Sequence, residues 1–382
     1  MVAFALTAPA RTIFGRGCRN QTVAEVGALG SRVLLVRGRS VAWVAGLETA
    51  LATAGVAVES LLSRGEPSLS EVRQGVERAR DFRADCILAV GGGAVIDLGK
   101  AISGLCPSDG DPADYLELGT ATPCRLADPL PFVALPTTAG TGAEATRNAV
   151  IGVPDRQMKI SLRDPRLLPD LAIVDPALTD DAPPALTMAT GLDAVTQLIE
   201  SYLCIRANPV TDALCSATIP DAIRALRHLA EAEDPSARDT MARASHLSGL
   251  ALANAGLGVV HGLASVIGGR GGAHGAICGR LLAAALRVNA RKAGQLNLPM
   301  QRFEAVDAWL ADGLGADRSQ GLAALQAFVG AQQLPTLAQL HVPEADFDAV
   351  AEQALTASST KGNPVPLSAQ DITEILAQAA QG

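Results

Sequence analysis

An aspartate and two histidines have residue types and spacing suited to holding a divalent metal ion. Asp193 lies four residues before Gln197, and residues at this spacing share one face of a helix. His261 and His274 follow in a glycine-rich segment and must come from a different element. Two histidines and one carboxylate suit Fe²⁺ or Zn²⁺ and leave coordination positions open for a substrate oxygen. The sequence therefore predicts Asp193, His261 and His274 as catalytic metal ligands, with the amide oxygen of Gln197 as a weak fourth ligand.

Three consecutive glycines, Gly91, Gly92 and Gly93, form a second candidate site between an apolar run and a predicted helix. Glycine lets backbone N–H groups approach a pyrophosphate closely, and a helix N-terminus adds positive potential there. Thr137 and Thr138 follow another apolar run, and their hydroxyls and amides could donate to the same phosphates. A tight turn without a ligand is the alternative interpretation, since the run lacks the G-x-G-x-x-G spacing.

Alternating strands and helices are predicted to position these glycines and threonines. Buried strands are expected at 32–36, 85–90 and 131–135, and helices at 41–54 and 68–82, the second capped by Ser68. Ligands bind at the carboxyl ends of the strands in such sheets. We therefore expect an α/β Rossmann-like dinucleotide-binding domain over residues 1–180.

The second half of the chain changes character after Asp175-Pro176. Apolar residues then recur at helical spacing, which predicts helices at 185–203, 212–230, 242–257 and 277–290. Paired prolines and acids at 179–184 suit a linker or a helix entry. The expected second domain, residues 181–382, is all-α and carries the metal and substrate residues.

Composition narrows the class of protein. A chain of 382 residues with 48% hydrophobic and 18% charged residues is long enough for two folded domains. The formal charge of −8 argues against binding to nucleic-acid phosphates. No membrane span or secretory leader is predicted, so a cytoplasmic location is expected. The seven cysteines show no C-x-x-C spacing and are interpreted as buried or incidental thiols, and His228, His246 and His341 as ordinary structural histidines.

Taken together, these segments resemble the iron-containing alcohol dehydrogenase family, with its maleylacetate reductase-like branch, in the dehydroquinate synthase-like superfamily. The resemblance covers nearly the whole chain. The segments that carry it are residues 9–15, Gly91-Gly92-Gly93 with Asp97 and Lys100, residues 136–144 with Thr146 and Asn148, Asp175-Pro176, residues 191–194, His261, His274 and residues 358–364.

The resemblance implies a dehydroquinate synthase-like fold, a nicotinamide cofactor and a divalent metal held mainly by the second domain. It places five residues at the cofactor phosphates, namely Gly92, Gly93, Ala94, Thr137 and Thr138, and Gly91 and Asp97 also belong to the expected cofactor-binding set. It places Asn148 and Lys159 near the ribose or nicotinamide end.

The residues after the first predicted strand bear on the choice between NAD and NADP. Members that prefer NAD often carry an acid there, whereas this chain has Gly38. Without a carboxylate to repel a 2′-phosphate, Arg37 or Arg39 could pair with it. NADPH is therefore the predicted cofactor, with Gly38 and Arg39 in its binding set.

The chain departs from the family pattern at two positions. Gln197 stands where the family's helix supplies a histidine, and Ser265 stands where a further histidine is common. The loop at 268–273 is also a residue short. A neutral amide is a poor donor for first-row metals, so weaker metal binding is expected, and Ser265 cannot serve as a proton shuttle.

The leading hypothesis is a homodimeric NAD(P)-dependent alcohol dehydrogenase or carbonyl reductase acting on a small aldehyde, ketone or keto acid, with the metal as Lewis acid. A second hypothesis keeps the cofactor but not the metal, with Gln197 and a protonated histidine polarising the substrate. A third is a catalytically inactive binding or assembly homologue. A lyase of the dehydroquinate synthase type is a further alternative, but its larger set of basic residues is not visible.

Overall fold

A computed structural model describes residues 3–39, 43–118, 122–156 and 158–381. The chain divides into two compact units. The α/β unit comprises Thr7–Thr138 and Gly142–Thr179, and the helical unit runs from Asp180 onward and includes residues 3–6 and Ala139–Thr141. The main division falls between Thr179 and Asp180, close to the boundary near residue 180 that the sequence predicts. The sequence did not predict that Ala139–Thr141 belong to the helical unit.

The α/β unit is built on a six-stranded parallel sheet with the order β1-β8-β5-β4-β2-β3, and β6 and β7 form a separate antiparallel hairpin. The strands are β1 Arg11–Phe14, β2 Arg32–Arg37, β3 Ala57–Leu62, β4 Cys86–Gly91, β5 Phe132–Pro136, β6 Asn148–Val153, β7 Met158–Arg163 and β8 Leu171–Val174. Every residue of β4 and β5 is buried, which is why these strands show continuous apolar runs rather than alternation. The predicted α/β fold and its three strands are confirmed.

Four α-helices lie in the described part of the α/β unit, namely α1 Thr22–Leu29, α2 Val44–Thr53, α3 Leu69–Phe82 and α4 Gly93–Leu105. The Ser68 hydroxyl caps α3 by accepting the backbone N–H of Glu71, and the Glu71 carboxylate accepts the backbone N–H of Ser68. The predicted cap is therefore confirmed. Residues 41 and 42 of the predicted helix 41–54 lie outside the described residues. α4 begins directly after β4, which places its N-terminus at the carboxyl edge of the sheet.

Among the residues that the structure describes, the second unit contains helices and no strands, as expected. Its helices are α5 Pro184–Leu203, α6 Pro209–Glu231, α7 Pro235–Asn254, α8 Val259–Gly269, α9 His274–Gln295, α10 Gln301–Leu314, α11 Gly321–Ala331, α12 Phe347–Thr356 and α13 Ala369–Gln381. Leu192, Ile219 and Leu226 contribute to one apolar core, and Leu263 and Leu281 to another. α8 was not predicted, and α9 begins three residues earlier than expected.

Within the described residues, no single helix has both the length and the apolar character needed to cross a membrane. The strongly bent pair α7 and α8 meets that criterion only when its two members are taken together.

Candidate metal centre and cofactor loops

Three helices of the helical unit bring the predicted metal ligands together. Asp193 lies in the middle of α5, His261 in the first turn of α8, and His274 is the first residue of α9. Their potential ligand atoms, with the Sγ of Cys278, all lie within 4.8 Å of one another. The structure thus places the carboxylate and both imidazoles around one point.

The distances within this cluster suit a single small cation. Asp193 Oδ1 lies 3.2 Å from His261 Nε2 and 3.7 Å from His274 Nε2. The side chains of Asp193 and His261 are 2% and 5% exposed, whereas His274 is 33% exposed and leaves the cluster open on one side. Nitrogen and carboxylate oxygen are the donors that Zn²⁺ and Fe²⁺ take from proteins. The residues present therefore fit a divalent ion with room for a further ligand.

Glu200, one further turn along α5 from Gln197, orients His261. Its Oε2 lies 2.7 Å from His261 Nδ1, and its two oxygens accept the backbone N–H groups of Val260 and His261. The carboxylate therefore holds the first turn of α8 and the imidazole ring of His261 in one arrangement. When an ion takes the place of the Nε2 proton, the hydrogen bond from Nδ1–H to Glu200 leaves the Nε2 lone pair directed towards that ion.

Gln197 contacts the cluster through its amide nitrogen. Nε2 donates to Asp193 Oδ1 at 3.4 Å, and Oε1 accepts from the Ser248 hydroxyl at 2.8 Å. The oxygen that the sequence assigned to the metal thus points towards α7 in this arrangement. Ligation by Gln197 requires its amide to rotate and to exchange these two partners.

The charged groups of the cluster shift one another's pKa values. Burial alone would raise the pKa of Asp193, but His274 and the hydrogen bond with His261 outweigh it and lower that pKa below its ordinary value. Burial alone would lower the pKa of both histidines. Cys278 and Asp193 more than offset it, raising the pKa of His274 to about 9 and that of His261 well above its ordinary range. The cluster therefore favours positive charge at its centre.

The sequence analysis missed Glu200 and Cys278. Glu200 follows Asp193 by seven residues, and Cys278 follows His274 by four, and both spacings return to the same helix face. The second spacing was obscured because the predicted helix began at 277, after His274. The interpretation of the cysteines as buried or incidental thiols did not anticipate that Cys278, which is buried, lies within the cluster.

In the α/β unit, the predicted phosphate-binding residues lie at the carboxyl edge of the sheet. Gly91 ends β4, Gly92 precedes α4, and the Gly91 carbonyl accepts the Thr137 amide at 2.9 Å. A side chain on Gly92 would lie 3.3 Å from Thr138, so the two loops are neighbours. The amides of a helix's first turn have no acceptor within the helix. Gly93 and Ala94 occupy those positions in α4 and could donate to a phosphate there.

Other predicted cofactor residues are held by contacts within the same unit. The Asp97 carboxylate accepts the backbone N–H of Val150, and the buried ammonium of Lys100 donates to the backbone carbonyl of Asn148. Lys159 on β7 is paired with Glu66 and is 10% exposed. Asp97 therefore has an evident role in joining α4 to the hairpin.

Gly38 follows β2 at the same edge and donates its amide to Val90. Arg37 lies 3.5 Å from Glu48, whereas Arg39 is exposed. Of the two arginines, Arg39 is thus the more exposed at this edge, while the Arg37 side chain is 33% exposed. Ser40 lies outside the described residues.

Comparison with known proteins shows which family the chain belongs to. The sequence model of the iron-containing alcohol dehydrogenase family matches residues 9–176. The sequence model of the C-terminal part of the same family matches residues 187–380. An NAD-dependent methanol dehydrogenase of Bacillus methanolicus is 30% identical, with 97% of this chain and 98% of that protein covered. A 1,3-propanediol dehydrogenase of Citrobacter freundii is 37% identical, with 82% of this chain and 80% of that protein covered.

A solved alcohol dehydrogenase from Oenococcus oeni superposes with a TM-score of 0.88 at 28% identity, covering 99% of this chain and all of that one. The family models and the sequence relatives together span both units. The chain is therefore a member of the iron-containing alcohol dehydrogenase family and an oxidoreductase of that type.

Proposed function

We propose that this chain interconverts an alcohol and a small aldehyde, ketone or keto acid with a nicotinamide cofactor and a divalent metal ion. The observation that carries the proposal is the convergence of Asp193 Oδ1 with the Nε2 atoms of His261 and His274. When bound, the ion supplies Lewis-acid polarisation of a carbonyl oxygen, and the nicotinamide supplies the hydride. Names of relatives such as methanol dehydrogenase and 1,3-propanediol dehydrogenase support a small substrate.

Each residue has a distinct part in this proposal. Asp193, His261 and His274 hold the ion, and Glu200 positions His261 through Nδ1. His274 lies at the more open side of the cluster, where a substrate oxygen has access. The glycines 91–93, Ala94, Thr137 and Thr138 hold the cofactor phosphates, and Asn148 and Lys159 lie near its ribose or nicotinamide end.

NADPH is the proposed cofactor rather than NADH. Gly38 offers no carboxylate to repel a 2′-phosphate, and the exposed Arg39 beside it can pair with one. A ratio of kcat/KM for the two cofactors that favours NADPH by about tenfold or more is expected. Preference for NADH would refute this part of the proposal and leave the reaction class unchanged.

A homodimer is also proposed. β1 lies at one edge of the sheet, and its Phe14 is 44% exposed. An edge strand with an exposed aromatic side chain suits contact with a second copy. Light scattering on the purified protein gives the oligomeric state directly.

The metal role is tested by elemental analysis and NAD(P)H oxidation assays on protein purified without chelator. We expect about one Fe²⁺ or Zn²⁺ per chain in the parent protein. Asp193→Ala should lose the ion and lower kcat/KM at least about 100-fold. His228→Gln, at an exposed histidine of α6, is the matched control and should change neither quantity.

Two results would overturn the proposal in different ways. Full activity in an Asp193→Ala protein without metal would favour the metal-independent reductase, in which Gln197 and a protonated histidine polarise the substrate. Failure of the parent protein to bind NADPH or NADH, measured by fluorescence, would favour a catalytically inactive homologue.

A further inference from the structure

We propose that the thiolate of Cys278 is the fourth protein ligand of this metal, so that the centre has one carboxylate, two imidazoles and one sulfur. The inference rests on the proposed function, because it requires that the cluster binds a metal ion. It assigns to Cys278 the position that the sequence analysis gave to Gln197.

Cys278 is placed for this role by the helix that carries His274. The two residues are four apart in the first turns of α9, so their side chains share one face of the helix. Cys278 is fully buried, and its Sγ lies 3.8 Å from the Nε2 atoms of both His261 and His274. The sulfur therefore faces the same point as the two imidazoles.

The separations match the edges of a tetrahedron around one ion. Zinc bonds of about 2.0–2.3 Å to oxygen, nitrogen and sulfur give tetrahedral ligand separations of about 3.3–3.6 Å. The oxygen–nitrogen distances from Asp193 Oδ1 are 3.2 and 3.7 Å, and both sulfur–nitrogen distances are 3.8 Å. Four of the six ligand–ligand separations are thus close to tetrahedral values, and the other two are no longer than 4.8 Å.

Hydrogen bonds between a neutral thiol and two neutral imidazoles do not account for this arrangement. A thiol has one weakly donating proton and can serve only one of the two imidazole nitrogens. The His261 Nδ1 is engaged with Glu200, so its Nε2 presents a lone pair to the cluster in the neutral ring. A cation at the centre gives the sulfur, both Nε2 atoms and the Asp193 oxygen a common partner.

Gln197 is the competing candidate for the fourth position. Its Oε1 accepts from Ser248, while its Nε2 faces Asp193. Ligation by Cys278 needs no such rearrangement, only transfer of the thiol proton to solvent as the metal–sulfur bond forms. Gln197 then acts as a positioning residue for the Asp193 carboxylate.

A thiolate changes which ions the centre selects. Sulfur is a soft donor that favours Zn²⁺ and Co²⁺, whereas Mg²⁺ and Mn²⁺ prefer oxygen. We therefore infer a zinc-class centre in a chain whose family is described as iron-containing.

The test is spectroscopic titration of the metal-depleted, full-length protein with Co²⁺. Thiolate ligation produces a sulfur-to-cobalt charge-transfer band in the near ultraviolet, which nitrogen and oxygen ligands do not give. We expect this band at one Co²⁺ per chain in the parent protein and in Cys215→Ala, the matched control at another fully buried cysteine of the same unit. Cys278→Ala and the nearly isosteric Cys278→Ser should both lack it.

Affinity measured by competition with a chelator gives a second readout. Cys278→Ala should weaken Co²⁺ binding about tenfold or more, and Gln197→Ala should retain the charge-transfer band. Adding Gln197→His to Cys278→Ala should recover affinity without the band, since position 197 faces Asp193 from the same helix. Circular dichroism confirms that each variant is folded.

The possible failures are distinguishable. Stoichiometric Co²⁺ binding without a charge-transfer band, or with a band that survives Cys278→Ser, would overturn sulfur ligation and leave the proposed function intact. Absence of any Co²⁺ binding at this cluster, with Asp193→Ala as active as its parent, would overturn both.

Discussion

At the scale of single residues, the centre depends on a carboxylate that the metal does not need to touch. Glu200 joins the imidazole of His261 and two backbone amides of α8 through one side chain. Such a carboxylate fixes the tautomer and the orientation of a ligating histidine. Its contribution should therefore appear in metal affinity as well as in stability.

Glu200→Gln tests this contribution. The amide keeps the size of the side chain but can accept with only one oxygen, so at least one of the three donors loses its partner. We expect metal affinity, measured by chelator competition, to fall about 10- to 100-fold. Glu231→Gln, at the exposed end of α6, is the control. A loss of thermal stability with unchanged metal affinity would show that Glu200 acts only as a cap of α8.

Lys100 is a second buried polar residue with a structural role. Its ammonium donates to the carbonyls of Ala143, Thr146 and Asn148, and it lies wholly within the α/β unit. Burial lowers its pKa from 10.5 to about 8, although Asp97 and Glu144 act in the opposite direction. The residue holds the segment before β6 against α4.

The depressed pKa sets the sign of a pH effect on stability. Between pH 8 and pH 10.5 the unfolded chain keeps the Lys100 proton while the folded chain releases it, so this residue's contribution to stability rises with pH. The free energy of unfolding of the parent minus that of Lys100→Met should increase by up to about 3 kcal/mol across this window. Denaturant titrations at several pH values measure it.

Lys361→Met, at an exposed lysine, is the control for that series. At neutral pH, Lys100→Met should also lower the denaturation midpoint because buried carbonyls lose their donor. A parent-minus-variant difference that is flat from pH 8 to pH 10.5 would contradict the stated cause.

At the scale of elements, the site requires a close approach of α5 and α9. A side chain on Gly275 would lie 2.4 Å from the Ala189 carbonyl oxygen, and one on Gly279 would lie 2.7 Å from Leu192. Glycine at both positions lets the start of α9 pack directly on α5. This contact brings His274 and Cys278 to Asp193.

Gly275→Ala should separate these helices. We expect a loss of about 1–3 kcal/mol in the free energy of unfolding, because the added methyl group meets backbone rather than a flexible side chain. Metal affinity should fall with it. Gly294→Ala on the same helix has open space and should be neutral or slightly stabilising. Equal behaviour of the two variants would show that close packing at Gly275 is not required.

α8 shows why some elements could not be predicted. It contains Gly262, Gly268 and Gly269, and each interior glycine weakens a helix by about 1 kcal/mol relative to alanine. Glu200 accepts the amides of its first turn from 60 residues away in the sequence. Its local sequence therefore favours a helix only weakly, and distant contacts stabilise it.

At the scale of the whole molecule, the two chemistries belong to different units. The candidate metal ligands all lie in the helical unit, and the candidate cofactor residues all lie in the α/β unit. A mutation or chelator that acts on one set leaves the other set's local contacts intact.

Removal of the metal by a chelator tests this separation. We expect the metal-depleted protein to bind NADPH within about threefold of its original affinity, measured by fluorescence, while turnover is lost and returns on adding Zn²⁺ or Co²⁺. An ion present at 100 times its Kd should stabilise the folded state by about 2.7 kcal/mol, observable by calorimetry. Loss of NADPH binding on chelation would contradict the assignment of cofactor binding to the α/β unit.

The sequence by itself determined the features that depend on local patterns. Apolar runs identified the central strands, helical periodicity identified α5, α6 and much of α9, and residue type with spacing identified Asp193, His261 and His274 as a set. These properties are encoded within a few turns or one strand, so neighbouring residues suffice to predict them.

Tertiary structure decided which further residues surround the candidate metal ligands. It folded α8 around glycines, brought Glu200 to His261 across 61 residues, turned the Gln197 oxygen towards Ser248 and placed Cys278 within the cluster. Each of these outcomes depends on which helix faces which. That choice is made by the packing of residues far apart in the chain, because only burial at a shared interface supplies the free energy that holds them there.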